Sequence, residues 1–148
     1  MVAEISRHRT VRADRQAVWD LLADFGEISA WAADVDHSCI LNAAEHGLVG
    51  TTRRVQIGRM VLVERVIEAD APRVLAYDIA GLPGPIRRAE NRWTLDDVLQ
   101  GSTAITLTST VDLGAGRLRG IAAQAFTRVM ARSSDAMLSG LAAKLEGP

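Results

Sequence analysis

Between residues 116 and 145 the apolar positions recur at helical spacing, and the stretch predicts one long helix. Wound at about 100° per residue, it places Leu118, Ala122, Ala125, Phe126, Val129, Ser133, Ala136, Met137 and Gly140 on one face. Gln124, Thr127, Arg128, Ala131 and Asp135 fall opposite. The first face is apolar, as a packed helix requires, yet most of its side chains are small. Laid across a concave sheet, such a face would leave space unfilled. A hydrophobic hollow beneath a long helix is the expectation that follows.

The rest of the chain reads mainly as strands. Residues 3–12 form a strand whose alternation is blurred by Arg7, His8, Arg9 and Arg12, a pattern suited to a charged edge. Asp14 supplies an N-cap, and Val18, Leu21, Leu22 and Phe25 follow at helical spacing up to Gly26. A second short helix, from Glu27 to about Ala33, carries Ile28 and Trp31. Strand patterns then cover 35–41, 51–57, 60–68, 74–80, 87–96 and 102–112, with turns at 42–50, Gly58-Arg59, 69–72 and 81–85. Leu75, Tyr77 and Ile79 share one face of their strand, and Ala89, Asn91, Trp93 and Leu95 share one of theirs. Strand, two helices, six strands and a long helix predict an α+β domain. Its curved antiparallel sheet of about seven strands is covered on one face by helix.

Composition narrows the function. A chain of 148 residues, 48% hydrophobic and 24% charged, suits one soluble domain spanning residues 1–148. A net charge of −1 gives no electrostatic reason to expect nucleic acid or an acidic membrane as partner. Cys39 is the sole cysteine, so no internal disulfide or cysteine-based metal site is available, and a cytoplasmic setting is expected. The opening residues do not read as a signal peptide. No apolar run approaches the roughly 20 residues of a membrane span, so no integral membrane association is expected. His8, His37 and His46 lack metal-ligand spacing, and no HExxH, GxSxG or P-loop pattern is present. Neither a metal nor a cofactor is expected. Cys39 reads as a small buried apolar residue, Trp19 and Phe25 as core, and His37 as a rim candidate near the pocket.

Particular residues carry a family likeness. They are Ala17-Val18-Trp19 through Ala23-Asp24-Phe25, then Ile28 and Trp31, Gly50-Thr51-Thr52-Arg53, Glu64-Arg65-Val66, Pro72, Tyr77, Trp93 and Gly101-Ser102-Thr103. In order and spacing the chain resembles the SRPBCC or START-like superfamily, typified by the major birch pollen allergen, and within it the polyketide cyclase/dehydrase branch. The resemblance implies a helix-grip fold, with the sheet wrapped around the C-terminal helix and a cavity between them. It also implies lipid-, sterol- or polyketide-like ligands, with cyclase or dehydratase activity in some members. The pollen-allergen group carries a longer glycine-rich loop than the Gly47 and Gly50 found here, so a phosphate-cradling role is not supported.

If the inner face of the sheet lines the hollow, Arg53, Tyr77 and Asn91 point into it by alternation, and the family pattern turns Glu64 inward as well. Two readings stand side by side. Arg53 polarises a ligand oxygen while Glu64 and Tyr77 exchange protons, or Arg53 and Glu64 form a buried pair that braces the sheet. Trp31 is either a mouth element or packing for the helical hairpin, and Trp93 is either pocket wall or filler. Leu82 and Ile86 flank a proline-stiffened loop suited to an entrance. With Ala122, Phe126, Val129, Ser133 and Met137 from the long helix, these residues make up the predicted ligand site. A binder of a hydrophobic, lipid- or polyketide-like molecule is the first reading. A polyketide cyclase, aromatase or dehydratase using Arg53, Glu64 and Tyr77 is the alternative, and a protein-interaction module the third. Monomer and homodimer are both compatible with the sequence.

Overall fold

The structure, a computed structural model, describes residues 2–82, 86–113 and 121–147, with the backbone alone at 121–124 and 126. Strand β1 (Val2–Val11) leads through the Asp14 cap into helix α1 (Arg15–Ala23) and a 3₁₀ helix (Phe25–Ala30). Strands β2 (His37–Asn42), β3 (Thr52–Ile57), β4 (Met60–Asp70), β5 (Val74–Ala80), β6 (Arg88–Leu99) and β7 (Ser102–Asp112) precede helix α2 (Ile121–Glu146). All neighbouring strands are antiparallel, in the order β1-β7-β6-β5-β4-β3-β2. This is the expected seven-stranded sheet with helices on one face. Only β1 and β7 pair out of sequence, which puts the first strand at one edge and β2 at the other.

Alternation decides what is buried. Arg53 and Val55, Leu62, Glu64 and Val66, Leu75 and Tyr77, then Ala89, Asn91, Trp93 and Leu95 all face inward and are buried. So are Ile105, Leu107, Ser109 and Val111 on β7. Val18, Trp19, Leu22, Phe25, Ile28 and Trp31 close over the middle of this surface. Trp19 and Phe25 are therefore core, as expected. Cys39 is not: it lies exposed on β2, because its register partner Arg54 belongs to the solvent face of β3. His37 is exposed too.

Helix α2 departs from the expected phase. Its inward stripe is Ser134, Leu138, Leu141 and Ala142, with Met130, Met137 and Leu145 partly buried beside it. Ala125 and Ser133 are exposed, and Val129 is 62% exposed, so neither Val129 nor Ser133 lines the interior. Leu118 and the side chains of Ala122 and Phe126 lie outside the described residues. The rotation has an identifiable origin. Helix α2 lies over β1 and β7, near the sheet edge, where Arg7 donates Nε and Nη2 to the two carboxylate oxygens of Asp135 at 2.8 Å each. Arg9 reaches Ser139, and Glu146 accepts from the Arg12 backbone N–H. These polar clips at roughly helical spacing hold one side of the helix outward. The arginines that blurred the alternation of β1 are thus the helix's docking contacts.

Gly140 fixes the closest approach. A Cβ placed there would lie 2.1 Å from the Trp31 carbonyl oxygen, so the helix passes over the end of the 3₁₀ segment with no room for a side chain. Gly140→Ala would improve intrinsic helix propensity, yet the overlap with backbone should dominate and destabilise the fold by about 1–3 kcal/mol. A urea melt of the variant should show the lowered midpoint. An unchanged midpoint would show that the helix can shift freely.

Candidate functional site

The register of the sheet brings the predicted polar residues onto neighbouring rungs. Arg53 on β3 stands opposite Glu64 on β4, Val66 opposite Tyr77 on β5, Tyr77 opposite Asn91 on β6, and Asn91 opposite Ser109 on β7. A buried polar row therefore crosses the inner face and ends on Ser134 of α2. Ser109 also faces inward by strand alternation, and could have been found that way, but its polarity masked it. Ser134 was hidden by the mistaken helix phase.

Arg53 is 2% exposed and heavily engaged. Its Nε donates to Glu64 Oε1 at 2.8 Å and its Nη1 to the Phe25 carbonyl at 2.8 Å. Nη2 comes within 2.7 Å of the same Glu64 oxygen but lacks the alignment of a hydrogen bond. The guanidinium carbon lies 3.7 Å from the centre of the Phe25 ring and 4.6 Å from that of Tyr77, so the cation contacts two π faces. Phe25 and Tyr77 meet edge to face at 5.4 Å. This arrangement has the anatomy of a brace linking the 3₁₀ helix to β3, β4 and β5. Burial pushes the Glu64 carboxyl above its usual range, and Arg53 pulls against that shift. The Tyr77 phenol is raised as well, first by burial and then by the Glu64 charge, so it stays protonated at neutral pH.

Beyond the brace, Tyr77 Oη accepts from Asn91 Nδ2 at 3.3 Å and from Trp93 Nε1 at 3.2 Å. Asn91 Oδ1 accepts from Ser109 Oγ at 2.6 Å, and Ser109 lies 3.4 Å from Ser134 Oγ. On one side of this row sits the large core, where Trp31 meets Trp93 edge to face at 5.9 Å. Trp31 is 7% exposed and Trp93 1%, so both pack the interior, and Trp31 is not a mouth residue. Met137 also packs on this core. On the other side is a smaller apolar cluster: Ala89, Val111 and Leu113, with Ile79, Leu82, Ile86 and Met130. A hollow of about 290 Å³ opens there between the ends of β5 and β6, lined by residues 78–82 and 86–89. Leu82 and Ile86 both line it, with the charged Asp78, Arg87 and Arg88 beside them. Ile79 and Ala89, which the sequence did not single out, join them. Among the described residues no three His, Cys, Asp or Glu side chains converge as a metal would require.

With this geometry in hand, the chain can be placed among known proteins. The family described as polyketide cyclase / dehydrase and lipid transport matches residues 2–146. The chain belongs to that family. No curated protein matches by sequence. Among solved structures, an aromatase/cyclase from a Streptomyces species, Zhui, is 20% identical with a TM-score of 0.82, over 99% of this chain and 94% of that one. A START superfamily protein from Mycobacterium smegmatis is 14% identical with a TM-score of 0.81, over 97% of each chain. A Bacillus thuringiensis protein described as putative and uncharacterized is 17% identical with a TM-score of 0.73, over 98% of this chain and 100% of that one. At these identities the likeness is one of fold, the helix-grip of the SRPBCC branch. No helix among the described residues is long and apolar enough to cross a membrane.

The brace can be tested through its charge balance. Arg53→Met would strand Glu64 in the interior and free the Phe25 carbonyl, which should cost about 3–5 kcal/mol. Without the guanidinium, burial acts on Glu64 unopposed and raises its pKa further. A carboxyl whose folded pKa exceeds its unfolded value gives stability that is full at low pH and lost as pH rises through the folded value. Urea midpoints of Arg53→Met should therefore fall more steeply than wild type from mildly acid to neutral pH. Adding Glu64→Gln should flatten that slope. A pH-independent deficit would show that Glu64 does not sense Arg53.

Proposed function

We propose that this protein binds a hydrophobic small molecule, lipid- or polyketide-like, on the inner face of the sheet beside the N-terminal half of α2. One observation carries the reading: a buried polar row on the inner face and, at the ends of β5 and β6, a hollow whose lining mixes Ile79, Leu82, Ile86 and Ala89 with Asp78, Arg87 and Arg88. Ligand pockets are typically apolar with a few placed polar groups, and Ile79, Leu82, Ile86 and Ala89 supply the first part. Asn91 and Ser109, polar side chains of the same inner face that keep 7% and 8% of their surface exposed, supply the second. Membership of a family described partly by lipid transport points the same way.

The alternative is a cyclase, aromatase or dehydratase acting through Arg53, Glu64 and Tyr77, and one structural relative bears the name aromatase/cyclase. Two donor nitrogens of Arg53 are already spent on Glu64 and the Phe25 carbonyl, which favours binding over turnover. Under this reading Arg53 and Glu64 shape the site from behind, while Tyr77 and Asn91 face the ligand.

Extraction of the purified protein with organic solvent, followed by mass spectrometry, should release a hydrophobic compound. Ala89→Trp should fill the hollow and abolish uptake of that compound while the circular dichroism spectrum stays native. Retention of uptake in the folded variant would place the ligand elsewhere.

A further inference from the structure

The hollow at the ends of β5 and β6 is not a purely apolar cup. Beside Ile79, Leu82, Ile86 and Ala89 it is lined by Asp78, Arg87 and Arg88, two cations against one carboxylate. The two arginines differ in setting. Arg88 is exposed and also lines a second depression together with Asp78, Glu90 and Asp112, so carboxylates share its field. Arg87 is half-buried and lines the first hollow alone. Its backbone N–H donates to the Asp112 carbonyl at 2.8 Å, which anchors the residue beside β7. Among the described residues no ion pair joins Arg87 to a carboxylate. The stretches outside the described residues contain no Asp or Glu.

A guanidinium that has given up part of its hydration without gaining a counter-charge is costly, and an anion arriving with a ligand relieves that cost. Arginine also matches the planar oxygens of a carboxylate or phosphate, and attraction across a partly dehydrated mouth exceeds that in bulk water. An amine would meet Asp78 but also two cations. Size is constrained as well. A hollow of about 290 Å³ is at the small end of ligand pockets. Beyond Ala89 the inner face of β6 continues into Asn91 and Trp93, both buried, and Trp31 is set edge to face on Trp93. A long acyl chain or a body of four fused rings has no room to extend that way.

We infer that the hollow selects a compact hydrophobic anion, a body of one or two rings ending in a carboxylate or phosphate, and that Arg87 is the specificity-determining residue. The inference rests on the binding reading above and narrows it by charge and by size.

The test titrates matched probes into the full chain by calorimetry: naphthoate, naphthyl phosphate, naphthalenemethanol and naphthylmethylamine, with pyrenecarboxylate as the larger anion. At least one of the two naphthyl anions should bind about tenfold more tightly than the neutral alcohol, as a charge-assisted hydrogen bond provides, and the amine should bind most weakly of the naphthyl probes. The tighter of the two anions identifies the end group as carboxylate or phosphate. Arg87→Met should bring the anions down to the level of the alcohol, while Arg88→Met should keep most of the preference. If Arg87→Met fails to fold, added salt decides in the wild type: it should weaken the anions and leave the alcohol unchanged. Equal affinity for anion and alcohol, tightest binding of the amine, or a preference that survives Arg87→Met would overturn the inference while leaving a hydrophobic binder. Pyrenecarboxylate bound as tightly as naphthoate would overturn the limit on size. Binding of none of the probes would instead remove the binding reading itself.

Discussion

The interior of this protein is organised by a cation that has no route to water. Once the register of β3 turns Arg53 inward, the guanidinium must be neutralised and its N–H groups satisfied in place. Glu64 on the opposite rung does the first, the Phe25 carbonyl contributes to the second, and the faces of Phe25 and Tyr77 replace some of the lost hydration. These partners come from the 3₁₀ helix, β4 and β5. The requirement of one side chain therefore fixes where the helical hairpin sits on the sheet. It also holds the ring of Tyr77, and hence the position of its hydroxyl, from behind.

The second constraint is the seating of α2. Gly140 against the Trp31 carbonyl sets how deeply the helix approaches, while Arg7 and Asp135 set how it is rotated. Leu138, Leu141 and Ala142 consequently fill the large core, and Met130 packs on the smaller cluster. The hollow lies on that side, next to Ile79 and Ala89.

Much of this was legible in the sequence. Strand boundaries and inward faces followed from period-2 alternation, because a sheet covered on one face cannot tolerate a slip of one residue. Arg53, Tyr77 and Asn91 were found for that reason, Glu64 only through the family pattern because its strand is apolar on both faces, and the register sets all four on the inner face. The phase of α2 was not legible. Ala125, Val129, Ser133 and Ala136 make as plausible a stripe of small residues as Ser134, Leu138 and Leu141 make a mixed one, and hydrophobicity alone weighs them similarly. What decides between them is the pairing of Arg7 with Asp135, a contact between residues 128 positions apart. The same contact explains why β1 looked irregular. Trp31 misled for a different reason: a large aromatic at a helix end fits a pocket mouth or a core equally well until its partner Trp93 is known.

What the alternation could not convey is hydrogen-bond direction, and that is where the chemistry of the row resides. A list of inward polar residues is compatible with a proton relay, an anion site or a structural belt. The order of donors and acceptors separates them. Trp93 can only donate, the short Ser109–Asn91 contact fixes the amide, and the row is thereby forced to converge on Tyr77. A relay would need a proton exit at one end and a base at the other, yet the base nearest in the register, Glu64, is held by Arg53. An anion site would need an unneutralised cation, and Arg53 is neutralised. The remaining reading is a belt of fixed hydrogen bonds that ties β5, β6 and β7 to α2, with the brace behind Tyr77 keeping its end in place.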